Sequence, residues 1–195
     1  FLFQCESSWK DSTWSGGTFC DAGCGVTSMA MVVSALTGEL KTPPDLTSVI
    51  DCDTTASGDC LVTYAQKFNL QSVHFSETEH LGRASSTAQI KQAFEKYLND
   101  GYIIITSGYT DSDQFSNAER NPFSNNGHYI VFYGIDNEGN WLIADPGGKN
   151  RDWAAECTDI GKCNAHDNGM KPEDIIEAGI QRKDNTGVRA WAFKK

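Results

Sequence analysis

Three residue types suited to covalent catalysis stand far apart in this chain: Cys24, His128 and Asp145. Cys24 lies in Asp21-Ala-Gly-Cys-Gly-Val-Thr-Ser-Met-Ala-Met31, between two glycines, where an apolar periodicity begins. Val26, Met29, Ala30, Val33 and Leu36 recur at spacings of three and four, which predicts a helix over residues 24–37, stopped by Gly38. A helix N-terminus carries unpaired amides and about half a positive charge, and both stabilise a thiolate. The flanking glycines read as room for a carbonyl to approach the sulfur. Taken alone, Gly-Cys-Gly also fits a buried cysteine at a helix start.

His128 follows Gly127 and opens the apolar run 129–135. Of the four histidines, His74 falls in a short expected strand, and His80 and His166 lie in polar stretches. Only His128 combines a rigid strand with the mouth of a long loop. The turn Asp136-Asn-Glu-Gly-Asn140 and the run 141–145 complete a hairpin signal. Such a hairpin brings His128 and Asp145 onto neighbouring strands, where the carboxylate can orient the imidazole and hold its tautomer. Separately, each has a plainer account: a half-buried sheet histidine, and a strand-ending Asp-Pro turn. Their coincidence with Cys24 points to a nucleophile, a base and an orienting group.

The elements that must position these residues read as helices first and strands later. Pro43-Pro44-Asp45 starts a short helix to residue 50, and a further helix fits 61–68. A strand fits 72–75, and Thr87 caps a helix bearing Ile90, Phe94, Tyr97 and Leu98, ended by Asp100-Gly101. Strands follow at 102–106 and, after the hairpin, at 188–193. That order is α+β, not alternating βαβ. The first twenty residues read as irregular, and the polar stretch 110–127 as a loop shaping a substrate groove. With no repeat or linker, one domain over 1–195 is the expectation.

Composition narrows the classes. With 39% hydrophobic and 22% charged residues, the chain is neither disordered nor collagen-like. A net charge of -10 argues against nucleic acid as a partner and disfavours anionic membranes and cell-wall polymers. No apolar run approaches the ~20 residues that cross a bilayer, so membrane insertion is not expected. Phe1-Leu2-Phe3 lacks a signal-peptide pattern, which reads as a mature or trimmed chain, with any export signal lost from view. The pattern sets no oligomeric state.

Seven cysteines add a compartment. Cys52 with Cys60 and Cys157 with Cys163 each bracket a polar segment, and Cys5 with Cys20 brackets Trp9 and Trp14, leaving Cys24 free. This is one of fifteen connectivities for six cysteines, and a Cys20–Cys24 bond would silence the site. Disulfides place a protein outside the cytosol, secreted or at the cell surface. Seven reduced thiols are the alternative; structural zinc is not supported, because no Cys-x-x-Cys pair exists.

Taken in order, the motifs resemble the papain-like cysteine peptidases of family thirty-nine, especially stand-alone relatives of the double-glycine leader (bacteriocin-processing) peptidases. The matching pieces are Phe3-Gln4, Ser8-Trp9-Lys10, Gly23-Cys24-Gly25 with Thr27-Ser28-Met29-Ala30-Met31, and Leu36-Thr37-Gly38. They continue with Thr42-Pro43-Pro44-Asp45-Leu46, Asn99-Asp100-Gly101, Gly127-His128 and Asp145-Pro146. Val26 stands where the family often has proline, and the extra cysteines are outside its pattern. The resemblance implies a papain-like α+β fold, with an N-terminal helix carrying the cysteine packed on an antiparallel sheet carrying histidine and aspartate. It implies Cys24 as nucleophile, His128 as base and acid, Asp145 as orienting group, and Gln4 donating to the oxyanion with the amide of Cys24. Without the resemblance, Gln4 reads equally well as a surface glutamine.

Such chemistry needs neither metal nor organic cofactor; Asp111-Ser-Asp113 is a calcium motif in outline only. Cleavage of polypeptide amide bonds is the leading expectation, with peptidoglycan cross-links second. A transglutaminase-like acyl transferase and a secreted, non-catalytic binding module that keeps the fold are the alternatives.

Overall fold

The computed structural model describes residues 1–54, 57–82, 84–109, 123, 127–147, 169–180 and 187–195. The expected Cys157–Cys163 pair, His166, the aspartates at 111 and 113 and nearly all of the 110–127 stretch lie outside these residues.

The chain opens with a two-strand ribbon, β1 (Thr13–Trp14) and β2 (Gly17–Thr18), and a short helix, α1 (Phe19–Ala22). The helix α2 (Cys24–Thr37) begins at the cysteine and ends where Gly38 takes a left-handed φ of 78°. Next come α3 (Pro43–Val49), α4 (Asp59–Lys67), β3 (Gln71–His74), α5 (Phe75–Thr78) and α6 (Thr87–Asn99). Ser86, not Thr87, caps α6: its hydroxyl accepts from the Gln89 amide while the Gln89 side chain accepts from the Ser86 amide. That reciprocal pair needs glutamine three residues on, which only a cap at 86 provides.

The remaining strands are β4 (Ile103–Gly108), β5 (His128–Ile135), β6 (Trp141–Ala144) and β7 (Arg189–Lys194), with a helical segment α7 (Pro172–Ile175) whose continuation over Ile176–Ile180 is kinked where Gly179 leaves the helical backbone conformation. Five strands form one antiparallel sheet in the order β3-β7-β4-β5-β6. β4 runs two residues past the expected end because Ser107 and Gly108 pair with Tyr129 and His128. The Asp136 carboxylate accepts the Glu138 and Asn140 amides and closes the β5–β6 turn.

Successive strand residues face opposite sides, and both sides are covered. Ile105, Tyr129, Val131 and Trp191 join the front core with α2 and α4, while Ile104, Ile130, Phe132 and Ala190 join the back core with α6 and α7. Two coated faces explain why 129–133 is apolar throughout instead of alternating. The mixture of helices and antiparallel strands is an α+β, papain-like arrangement, as expected.

Candidate active site

Cys24 is the first residue of α2, so its own amide and those following it have no partner within the helix. The glycines around it serve packing rather than substrate access. A Cβ at Gly23 would strike the Phe19 carbonyl, and one at Gly25 would lie 2.6 Å from the Thr54 hydroxyl. The sequence expectation that they leave room for a substrate carbonyl is corrected accordingly: Gly23 permits the close junction of α1 and α2, and Gly25 admits Thr54 and Tyr129.

His128 is the first residue of β5 and pairs across the ladder with Gly108. The chain enters the strand through Gly127 at φ 83°, a conformation that favours glycine. Asp145 directly follows β6, and the hairpin sets its Oδ1 2.6 Å from His128 Nε2. The same oxygen accepts the Gly147 amide at 2.7 Å, and a Cβ on Gly147 would crowd both side chains. With Nε2 engaged, Nδ1 is the ring atom left for the Cys24 thiol, with which His128 shares a hydrogen bond. His128 and Asp145 are buried, at 6% and 1% exposure, and Cys24 is half-buried and outside any disulfide.

Electrostatics favour the ion-pair form. Burial by itself would raise the Cys24 thiol. The hydrogen bond and charge of His128, with the backbone amides of Tyr129 and Gly25, outweigh it and hold the thiol below its ordinary 9.0. Burial likewise opposes a charged His128, but the Asp145 charge and hydrogen bond, then Cys24, push it from 6.5 up to about 9. Both shifts move the pair toward its charged forms, a thiolate beside an imidazolium.

Gln4 is buried, at 8% exposure, and is not the surface glutamine of the plainer account. Its amide N–H donates to the Pro146 carbonyl at 2.8 Å, beside Asp145, and its side-chain Nε2 donates to the Cys20 carbonyl at 2.6 Å. The neighbouring Cys5–Cys20 disulfide fastens this segment to α1, one turn before Cys24. Nε2 carries a second hydrogen, which the Cys20 contact leaves over. The Cys52–Cys60 disulfide closes the loop that places Thr54 against Gly25.

A family model described as the Peptidase_C39 like family matches residues 4–166, from Gln4 past Asp145. The chain belongs to the Peptidase_C39 like family. That family is one of cysteine-peptidase-type hydrolases, which agrees with the resemblance read from the motifs. No match is found among curated proteins. In this C39-like chain, sequence reading missed Tyr129, whose amide donates to the Cys24 sulfur and whose hydroxyl donates to the Thr54 carbonyl at 3.2 Å. Its only sequence signal is its place directly after the histidine, since a backbone donor carries no residue type. Thr54 was signalled only by lying between Cys52 and Cys60.

Proposed function

We propose that the chain is a single-domain extracytoplasmic cysteine peptidase that hydrolyses amide bonds of polypeptides. The observation that carries this reading is the linked contact Cys24–His128–Asp145, with His128 and Asp145 at 2.6 Å and two backbone amides on the Cys24 sulfur. The Cys24 thiolate attacks the carbonyl carbon and forms the C–S bond. The developing oxyanion takes the Cys24 amide and the second Nε2 hydrogen of Gln4. Nδ1 of the His128 imidazolium protonates the leaving amine as the C–N bond breaks. The neutral imidazole then takes a proton from water, the hydroxide adds to the acyl carbon, and the thiolate leaves. Asp145 holds Nε2 throughout, so that Nδ1 always faces the sulfur.

The two disulfides among the described residues are compatible with an extracytoplasmic location, and no described helix is long and apolar enough to cross a membrane. Folding, disulfide-intact protein should cleave a mixture of unstructured polypeptides, and Cys24→Ala should lower that rate about 10⁴-fold or more without loss of fold. Product masses distinguish hydrolysis, which adds one water per cut, from acyl transfer. Equal rates in the wild type and Cys24→Ala would refute the reading.

A further inference from the structure

One pocket has no part in this chemistry. A cavity of about 320 Å³ opens where the start of α4 meets β3 and β7, and Arg189, Trp191, His74, Ser57, Ser76 and Asp59 line it. Its walls are rich in donors. The Arg189 guanidinium stands over the Trp191 ring at 5.8 Å and donates through Nη2 to the Tyr129 hydroxyl at 3.4 Å. Among the described residues no carboxylate lies within ion-pair distance of Arg189, although the chain carries 26 acidic residues against 16 basic ones. Trp191 is 1% exposed, and its indole Nε1 has no hydrogen-bond partner among the described residues. A buried orphan donor of that kind costs stability unless something accepts from it.

His74 stacks on Trp191 at 5.1 Å, shares a hydrogen bond with Ser76 Oγ at 3.1 Å through Nε2, and faces the exposed Glu77 at 3.4 Å through Nδ1. Imidazole and hydroxyl are therefore fixed to each other at the pocket wall. Gly58 allows this closeness, because a Cβ there would enter the Trp191 ring. The sole acidic group among the described lining residues is Asp59, which is exposed at the first turn of α4.

The pocket is joined to the candidate active site through one residue. Arg189 and Tyr129 flank Ser107 in adjacent ladders, one row from the Gly108–His128 pair. Tyr129 gives its amide to the Cys24 sulfur and receives Arg189 on its hydroxyl. An anchored guanidinium and serine hydroxyls at the wall suit a planar, two-oxygen acceptor. From this arrangement we propose that the Arg189 pocket is a specificity subsite for a carboxylate of the polypeptide substrate, either an acidic side chain or the free C-terminus. The proposal rests on the peptidase reading for its place in the reaction, but its ligand chemistry can be read without turnover. Asp59 at the rim disfavours the anion and tempers its affinity.

The test uses the intact protein and the indole N–H resonance of Trp191, assigned with Trp191→Phe. The probes are N-acetyl-glutamate α-amide, with only a side-chain carboxylate, N-acetyl-alanine, with only a terminal one, and neutral N-acetyl-glutamine amide. One carboxylate probe should move the resonance saturably and the neutral probe should not. Binding should weaken about 10-fold in Arg189→Gln, the loss of one charge-assisted contact, and tighten about 2-fold in Asp59→Asn. If neither carboxylate probe moves the resonance, or Arg189→Gln binds equally well, the proposal is overturned. Peptides carrying Glu or Gln at each position, and free-acid or amidated ends, should then differ about 10-fold in kcat/KM, a difference that Arg189→Gln abolishes. Cleavage without any such preference overturns the subsite while the peptidase reading stands. Probe binding without cleavage of any peptide leaves a carboxylate pocket but removes its role as a subsite.

Discussion

The two faces of the sheet are built from similar apolar stock and used differently. The back core is a continuous aromatic packing, with Phe94 stacked on Trp141 at 5.0 Å and edge-on to Phe75 at 5.0 Å, and Phe132 against Trp141 at 5.2 Å. It holds none of the residues proposed for catalysis. The front core carries α2, with Cys24 at its tip; the Ser28 hydroxyl of α2 donates to the Tyr129 carbonyl of β5 at 3.5 Å, and the bordering segments are tied by the Cys5–Cys20 and Cys52–Cys60 bonds. The difference teaches that the back core holds the sheet, while the front core and its disulfides hold the register between helix tip and sheet end. Stability and chemistry are thus separable by mutation.

After Cys24→Ala, the largest effect should come from Asp145→Asn, which spares both cores. It keeps the shape but removes the charge that raises His128, so the rate should fall about 10³- to 10⁴-fold. Its pH profile carries the sign. Because His128 titrates at about 9 when folded, above its ordinary 6.5, its share of stability is complete below 6.5 and lost as pH rises through about 9. The alkaline limb of kcat/KM should therefore sit near 9 in the wild type and move down in Asp145→Asn. An unmoved limb would detach Asp145 from His128.

Phe94→Ala should cost about 3–5 kcal/mol in urea unfolding while the folded fraction keeps its Cys24 reactivity. A loss of reactivity in proportion to stability would erase the division between the faces. The Cys5→Ser/Cys20→Ser double variant should do the reverse of a pure core lesion. It should lose about 3 kcal/mol of stability, as a loop of this size predicts, and lose rate as well, because Gln4 is no longer clamped. Stability loss alone would show that the disulfide does not position Gln4. The smallest effect is Ser86→Ala, about 1 kcal/mol from the cap of α6, with no change in rate.

Much of the site was legible because it is made of local signals. The three- and four-residue spacing after Cys24 gave its helix, and the hairpin signal gave the His128–Asp145 pairing. Short polar loops gave Cys5–Cys20 and Cys52–Cys60, which join residues close in sequence. What escaped depended on distant contacts. Gly23 and Gly25 looked like access for substrate, and only the folded chain brings Phe19 and Thr54 against them. Gln4 could be exposed or buried until Pro146 and Cys20 enclosed it. Arg189 was unremarkable in sequence, since the sheet order that sets it beside Tyr129 joins residues sixty positions apart.

The central claim, an activated thiolate at Cys24 held by His128, is tested most directly by alkylation. Non-reduced protein would be treated with iodoacetamide from pH about 5 to about 8, and the modified cysteine mapped by mass spectrometry. Cys24 alone should be labelled, at a rate that persists well below the ~8.5 of a free thiol, and His128→Ala should abolish this persistence. A Cys24 found in a disulfide, or labelled no faster than an ordinary thiol, would contradict it.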